Sequence, residues 1–261
     1  MIRIEAGSEQ LEDVITQDWT RYSQEDHEVW SLLYEKRMGH LRDVGSSAYL
    51  SGAEAIGLSA TEVPDLRAVN EKLSRRTGWA AVPVRGFIPA SRFFGFLARR
   101  RFPTTISVRP KAQLDYLPEP DIFHDVFGHV PLHADPVFAD FLQRFGVVAS
   151  AAKTPDALEA MARFFWFTVE FGLIEENGAV RAYGSGLISS HADCLNALGD
   201  SCERRPFSLA EVMEQSFEID HVQPVLFVIQ RFEELFDAVT SAEAQFSPAR
   251  GLAGQKSDCK K

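Results

Sequence analysis

Cysteine is nearly missing from this chain: Cys194, Cys202 and Cys259 are the only three in 261 residues. So sparse and odd a set, without CxxC spacing, excludes a disulfide framework and a structural zinc ribbon, and fits ordinary thiols in a reducing compartment. Long apolar runs are missing too. No stretch reaches the roughly 18 residues of a membrane helix, and the N-terminus shows no basic-then-apolar leader, so a soluble, cytoplasmic protein is expected. Positive charge is in short supply, with 27 Lys and Arg against 37 Asp and Glu. The net charge of −10 comes without any basic block, so there is no footprint for a phosphate backbone, and nucleic acid is not an expected partner. No internal repeat or fixed period appears. What is present is a chain with 45% hydrophobic residues, long enough to bury a full core of its own.

Most of the punctuation is helical. Asp65 to Arg76 sets Leu66, Val69 and Leu73 on one face and stops before Gly78. Asp135-Pro136 and Thr154-Pro155 each offer a cap followed by a first-turn proline. Ser208 and Glu211 read as a capping box, and Pro224 opens a segment with Val225, Ile229, Phe232 and Phe236 at helical spacing. Strand signals are few: Thr104 to Val108 is a short β-branched run, and Val180 to Tyr183 after Asn177-Gly178 reads as half of a hairpin. The expected fold class is therefore mainly α with minor β. Residues 1–240 are expected to form a single domain, with 241–261, small, polar and aperiodic, as a flexible tail.

Two stretches carry chemistry. In Pro120 to Leu132, His124 and His129 stand five residues apart in apolar sequence; in Phe164 to Gly172, Glu170 is the one carboxylate in the most aromatic run of the chain. Burying an ionised carboxylate costs several kcal/mol unless a cation or strong donors compensate. A metal ion would serve. Two imidazoles and one carboxylate leave open positions on an octahedral ion and suit non-haem Fe(II), while catalytic zinc uses the same donors. The zinc-protease pattern places its histidines at i and i+4, whereas here they are at i and i+5. On a regular helix five residues rotate by about 140°, so convergence requires the helix to end or distort near Gly128, and Pro131 favours an ending there. From these residues alone, hydrogen-bonded core histidines with Glu170 paired to an arginine remain the competing reading.

The chain also resembles the pterin-dependent aromatic amino acid hydroxylases, in particular their bacterial members. The resemblance rests on Gly86 to Arg109, Tyr116 to Asp121, the histidine motif, Trp166 to Gly172 and Ala182 to Ser190, in matching order and spacing over roughly residues 15–240. It implies the catalytic-domain fold of that family, a helical basket with iron at the bottom of a cleft. The implied activity is a monooxygenase reaction in which Fe(II) and a tetrahydropterin, tetrahydrobiopterin or tetrahydromonapterin, hydroxylate an aromatic amino acid with O2. Phenylalanine is the first expectation and tryptophan or tyrosine the alternative. A zinc hydrolase or a non-catalytic metal-binding protein is the reading from a different class.

The resemblance also distributes roles. It gives the metal to His124, His129 and Glu170. Arg109 matches the arginine that grips the substrate carboxylate, a task suited to a planar guanidinium. Pro118, Trp166 and Phe171 match apolar walls for a flat ring, and Gly186, Ser189 and Ser190 match the substrate side of the same wall. Gly86, Phe87 and Ile88 match the loop whose main chain reads the pterin edge, Phe93 matches the phenylalanine that stacks on it, and Phe165 stands where animal members carry a tyrosine. Pro89 and Ala90 replace paired serines of the animal pattern, Leu117 replaces a threonine, and Asp125 replaces a glutamate. Asp125 is the candidate for steering a water near the ion. This length has no room for the regulatory domain or tetramerisation helix of eukaryotic relatives, so a monomer without substrate-driven allostery is expected.

Overall fold

A computed structural model describes residues 13–86, 88–114, 119–219 and 221–246. Two helices open it, α1 (Gln24–Val44) and α2 (Ser47–Ile56). The expected cap at Asp65 forms: its side chain accepts from the Arg67 amide and starts α3 (Leu66–Thr77), which ends on Gly78 in the left-handed region. A parallel pair follows, β1 (Ala80–Pro83) and β2 (Arg101–Thr104), joined through α4 (Ala90–Leu97). Asp135 and Thr154 cap as their positions predict, accepting from the amides of Phe138 and Ala157 at the starts of α5 (Pro136–Ala151) and α6 (Pro155–Phe165).

The expected hairpin is β3 (Leu173–Glu176) and β4 (Ala179–Ala182), turned by Asn177 and Gly178 at φ 53° and 77°, the pair of positive angles such a tight turn requires. Beyond it lie α7 (Ser185–Ser189), α8 (His191–Leu198), β5 (Glu203–Pro206), α9 (Leu209–Glu214), β6 (Val225–Ile229) and α10 (Glu233–Phe246). The strands order as β4-β3-β6-β5, with β6 parallel to both its neighbours.

Four local expectations are corrected. The segment after Pro224 is not helical: Val225 to Ile229 is a strand, and the helix starts only at Glu233. A short apolar run paired on both sides needs no alternation, and periodicity alone does not separate it from a helix. Ser208 begins α9, but its side chain makes no cap bond, and Glu211 lies instead 3.9 Å from Arg205. The strand expected at Thr104–Val108 ends at Thr104, because the following backbone bonds elsewhere: Thr105 N donates to Asp125, Ile106 O accepts from the Tyr22 hydroxyl, and Ser107 O accepts from Ile122 N. Finally, α10 continues to Phe246, past the boundary expected at 240. Its alanines raise no hydrophobic periodicity, yet Ala238, Val239 and Ala242 are buried as α10 packs along α5. The remainder of the expected tail, 247–261 with Cys259, lies outside the described residues, while Cys194 and Cys202 are buried free thiols.

The core is aromatic. Phe138, Phe141, Phe145 and Phe164 interlock across α5 and α6, and Trp30 of α1 meets Phe123 and Phe127 edge-on. Each such fully buried side chain contributes about 1.5–3 kcal/mol of transfer free energy. Twice the chain leaves α geometry, once between α4 and α5 and once directly after α6. Phe123–His129 and Trp166–Glu170 are π-helical, the first running into a 3-10 turn, Val130–Ala134. Among the described residues no helix is long and apolar enough to cross a membrane.

Candidate metal centre and its cavity

The wide turn resolves the spacing of the histidines. In a π-helix the bond runs from i to i+5, so residues five apart are nearly one turn apart and face the same way. His124 and His129 accordingly present their rings 5.1 Å apart and nearly perpendicular, at 89°. The second wide turn ends on Glu170 and carries its carboxylate to the same point. Glu170 Oε1 is 3.2 Å from His129 Nε2, Oε2 is 3.7 Å from His124 Nε2, and one donor atom from each residue lies within 4.8 Å of the others. Burial alone would push the Glu170 carboxyl up, but the two imidazoles and the Ser185 hydroxyl outweigh it and hold it well below the usual carboxylate range. Burial holds the His124 imidazole below its ordinary value, against the pull of Glu170. An anionic oxygen and a neutral imidazole at His124 are states a metal ligand needs, and the three donors stand close enough to share one ion.

Hydroxyls from α7 fix the ligands. Ser189 donates to Ser185 O at 2.8 Å and lies 2.9 Å from His124 Nδ1. Its single hydrogen is thus spent, so Nδ1 must carry the proton of the pair, leaving the Nε2 lone pair of His124 to face the other ligands. Ser185 Oγ lies 2.6 Å from Glu170 Oε2 and 2.9 Å from His129 Nε2. Behind α7, the guanidinium of Arg37, 2% exposed, donates to Ile188 O at 2.8 Å and Leu187 O at 2.9 Å. At the start of the first wide turn the Asp121 carboxylate accepts from His124 N at 3.1 Å and grips Arg109.

A cavity of about 220 Å³ opens onto these ligands. His124, His129, Glu170 and Asp125 line it together with Gly86, Ile88, Phe93 and Phe165, which joins the expected metal residues to four of the five expected for the pterin. Phe93 meets Phe94, Phe102 and Phe165 edge-on. Phe87 and Pro118 lie outside the described residues. Asp125 Oδ2 accepts from Thr105 N and Oγ1 at 2.6 and 2.8 Å, and burial raises its carboxyl in spite of His124 and these bonds.

The other described residues expected to meet the substrate are not in the lining of this cavity. Trp166 and Phe171 pack together at 4.8 Å, and Gly186 approaches the Phe171 ring. The Ser190 side chain caps α8 by accepting from Asp193 N at 3.3 Å. Arg109 spends Nε and Nη2 on Asp121, each at 2.9 Å, and Nη1 reaches Leu114 O at 3.3 Å.

Several residues have roles that the sequence reading did not assign. Asp121, three residues before His124, and Ser185, four before Ser189, both sit at helical offsets from a functional residue, a signal that could have found them. Phe102 could not be found that way: it is 4.6 Å from the His129 ring and 4.8 Å from that of His133. His133 itself is 1% exposed, stacked on Trp79 at 4.7 Å, with neither ring nitrogen bonded among the described residues.

Comparison with known proteins gives a consistent set of relatives. The model of the biopterin-dependent aromatic amino acid hydroxylase family matches residues 13–247. Phenylalanine-4-hydroxylase of Chromobacterium violaceum is 44% identical over 225 residues, 86% of this chain and 76% of that protein. A crystal structure of the C. violaceum enzyme with iron(III) and oxidised 7,8-dihydrobiopterin superposes with a TM-score of 0.86 at 42% identity, covering 92% of this chain and 88% of that one. Another, with iron and phenylalanine bound, gives 0.84 at 40% identity, covering 92% and 90%.

Proposed function

Because this chain belongs to the family of biopterin-dependent aromatic amino acid hydroxylases, we propose that it converts L-phenylalanine to L-tyrosine with dioxygen, using Fe(II) and a tetrahydropterin. The observation that carries the reading is the convergence of His124, His129 and Glu170 at the floor of a cavity walled by Phe93 and Phe165. Two neutral nitrogens and one carboxylate leave positions open on the ion, as oxygen-activating iron requires. Iron and reduced pterin, when bound, supply the oxidising chemistry.

The chain's own residues place and shield the reactants. Ser189 keeps His124 in the tautomer that offers Nε2. Phe93 stacks on the pterin, with Gly86, Phe87 and Ile88 along its edge and Phe165 beside it; tetrahydrobiopterin and tetrahydromonapterin both suit such a slot. Arg109, held by Asp121, offers the remaining N–H groups of its outer edge to the substrate carboxylate. Pro118, Trp166, Phe171 and Gly186 wall the substrate ring, with Ser189 and Ser190 behind it. Asp125 orients a water beside the ion, its Oδ2 fixed by Thr105. A cytoplasmic monomer, with a single catalytic unit that runs through α10, completes the reading.

The test is product analysis. Iron-reconstituted protein is incubated with oxygen, a tetrahydropterin and, separately, phenylalanine, tryptophan and tyrosine, and the products are identified by mass spectrometry. Tyrosine formed from phenylalanine only when the pterin is present supports the assignment. Preferential turnover of another ring would move the substrate, and turnover without pterin would end the reading.

A further inference from the structure

The Ser185 hydroxyl sits against two of the three ligands without belonging to the donor set. It is 1% exposed, opens α7, and lies 2.6 Å from Glu170 Oε2 and 2.9 Å from His129 Nε2. An ionised carboxylate only accepts, so the one hydroxyl hydrogen goes to Oε2. At 2.6 Å this is a charge-assisted bond, shorter and stronger than one between neutral groups. The two oxygens of Glu170 are thereby made unequal. Oε2 is engaged by the hydroxyl, whereas Oε1, 3.2 Å from His129 Nε2, has no hydroxyl donor among the described residues.

Close backbone approaches hold the hydroxyl in place. A Cβ on Gly184 would come within 2.4 Å of Glu170 O, so the start of α7 rests directly on the Glu170 main chain. A Cβ on Gly128 would come within 3.1 Å of Ser185 O and 3.2 Å of Ser185 Cβ, so the first wide turn closes the opposite side. Ser189, one turn on, adds its bond to Ser185 O at 2.8 Å.

We propose that Ser185 is a positioning residue that holds Glu170 as a one-oxygen ligand. By keeping Oε2 hydrogen-bonded it prevents the carboxylate from closing on the ion with both oxygens, which preserves one coordination position for a reactant. The inference rests on the assignment of His124, His129 and Glu170 as the ligands.

The experiment counts open positions directly, with Mn(II) as the probe. Metal-free full-length protein is loaded with Mn(II), and the number of water molecules on the ion is measured by water-proton relaxation for the unaltered chain, Ser185→Ala, Ser185→Thr and Glu170→Ala. Ser185→Ala is expected to lose one water, as the released Oε2 joins the ion. Ser185→Thr, which keeps the hydroxyl, is expected to restore the original count. An unchanged count in Ser185→Ala overturns the proposal while leaving the ligand assignment standing. Mn(II) uptake that is absent in the unaltered chain, or undiminished in Glu170→Ala, overturns both. Should Ser185→Ala fail to fold, Ser185→Cys replaces the hydroxyl by a weak thiol donor, and a count unchanged there is equally fatal.

Discussion

Arg109 and Asp121 form a bidentate pair, Nε to Oδ2 and Nη2 to Oδ1 at 2.9 Å each, and Asp121 adds a bond from the His124 amide at 3.1 Å. One carboxylate therefore joins the guanidinium proposed for the substrate to the turn that carries the first imidazole.

Arg109→Lys is expected to raise KM more than it lowers kcat. Lysine keeps the charge but cannot bond Asp121 and a substrate carboxylate with one planar fork, a loss of about 1.5–3 kcal/mol for a charged hydrogen bond, or roughly 10-fold and upward in KM. Steady-state kinetics with phenylalanine decide it, and an unchanged KM would remove Arg109 from the substrate site.

Phe93→Ala is expected to weaken pterin binding by about 1–3 kcal/mol, the scale of an aromatic ring stacking on a base, with metal content intact. As a purely structural residue, Phe93 would instead cost about 3–5 kcal/mol of folding stability on truncation. Pterin titration beside thermal unfolding separates the two, and a large loss of stability with unchanged pterin affinity speaks against stacking.

Arg37→Met is expected to destabilise the fold and loosen the metal site together. It leaves Leu187 O and Ile188 O without their donor, at about 1–3 kcal/mol for each buried group left unpaired. Both carbonyls belong to the helix whose hydroxyls hold His124 and Glu170. Chelator competition should show faster metal release; release at the original rate in the folded variant would confine Arg37 to stability alone.

Acid should cost this fold stability through His133. Burial, reinforced by the nearby His129, holds the His133 imidazole well below its ordinary value, while in the unfolded chain it takes a proton near pH 6.5. Below that pH the unfolded state binds the extra proton, so stability falls as pH falls. Denaturant unfolding of metal-free protein at pH 7.5 and 5.5 is expected to show a smaller acid penalty for His133→Leu than for the unaltered chain. Equal penalties would show that His133 does not contribute.

The sequence disclosed the helix starts because caps act locally: Asp65, Asp135 and Thr154 each bond an amide two or three residues on. It also disclosed that His124 and His129 could not meet on a regular helix, although not that a wide turn was the remedy. What stayed hidden depends on partners distant in the chain. Val225 to Ile229 becomes a strand because β5 and β3 lie on either side, and Ser185 acquires meaning only when Glu170, 15 residues earlier, folds back onto it. Arg37 is further still, 150 and 151 residues from the two carbonyls it serves.

The two wide turns bear on how ligand patterns are read from sequence. A π-helical turn is an α-helical turn with one residue added to its path, so histidines at i and i+5 here face the same way as histidines at i and i+4 on an ordinary helix. Spacing in a motif therefore measures the route of the backbone and not the separation of the donors. A search keyed to a fixed interval sorts metal sites by helix type, and would part this centre from another of the same shape for the sake of one inserted residue.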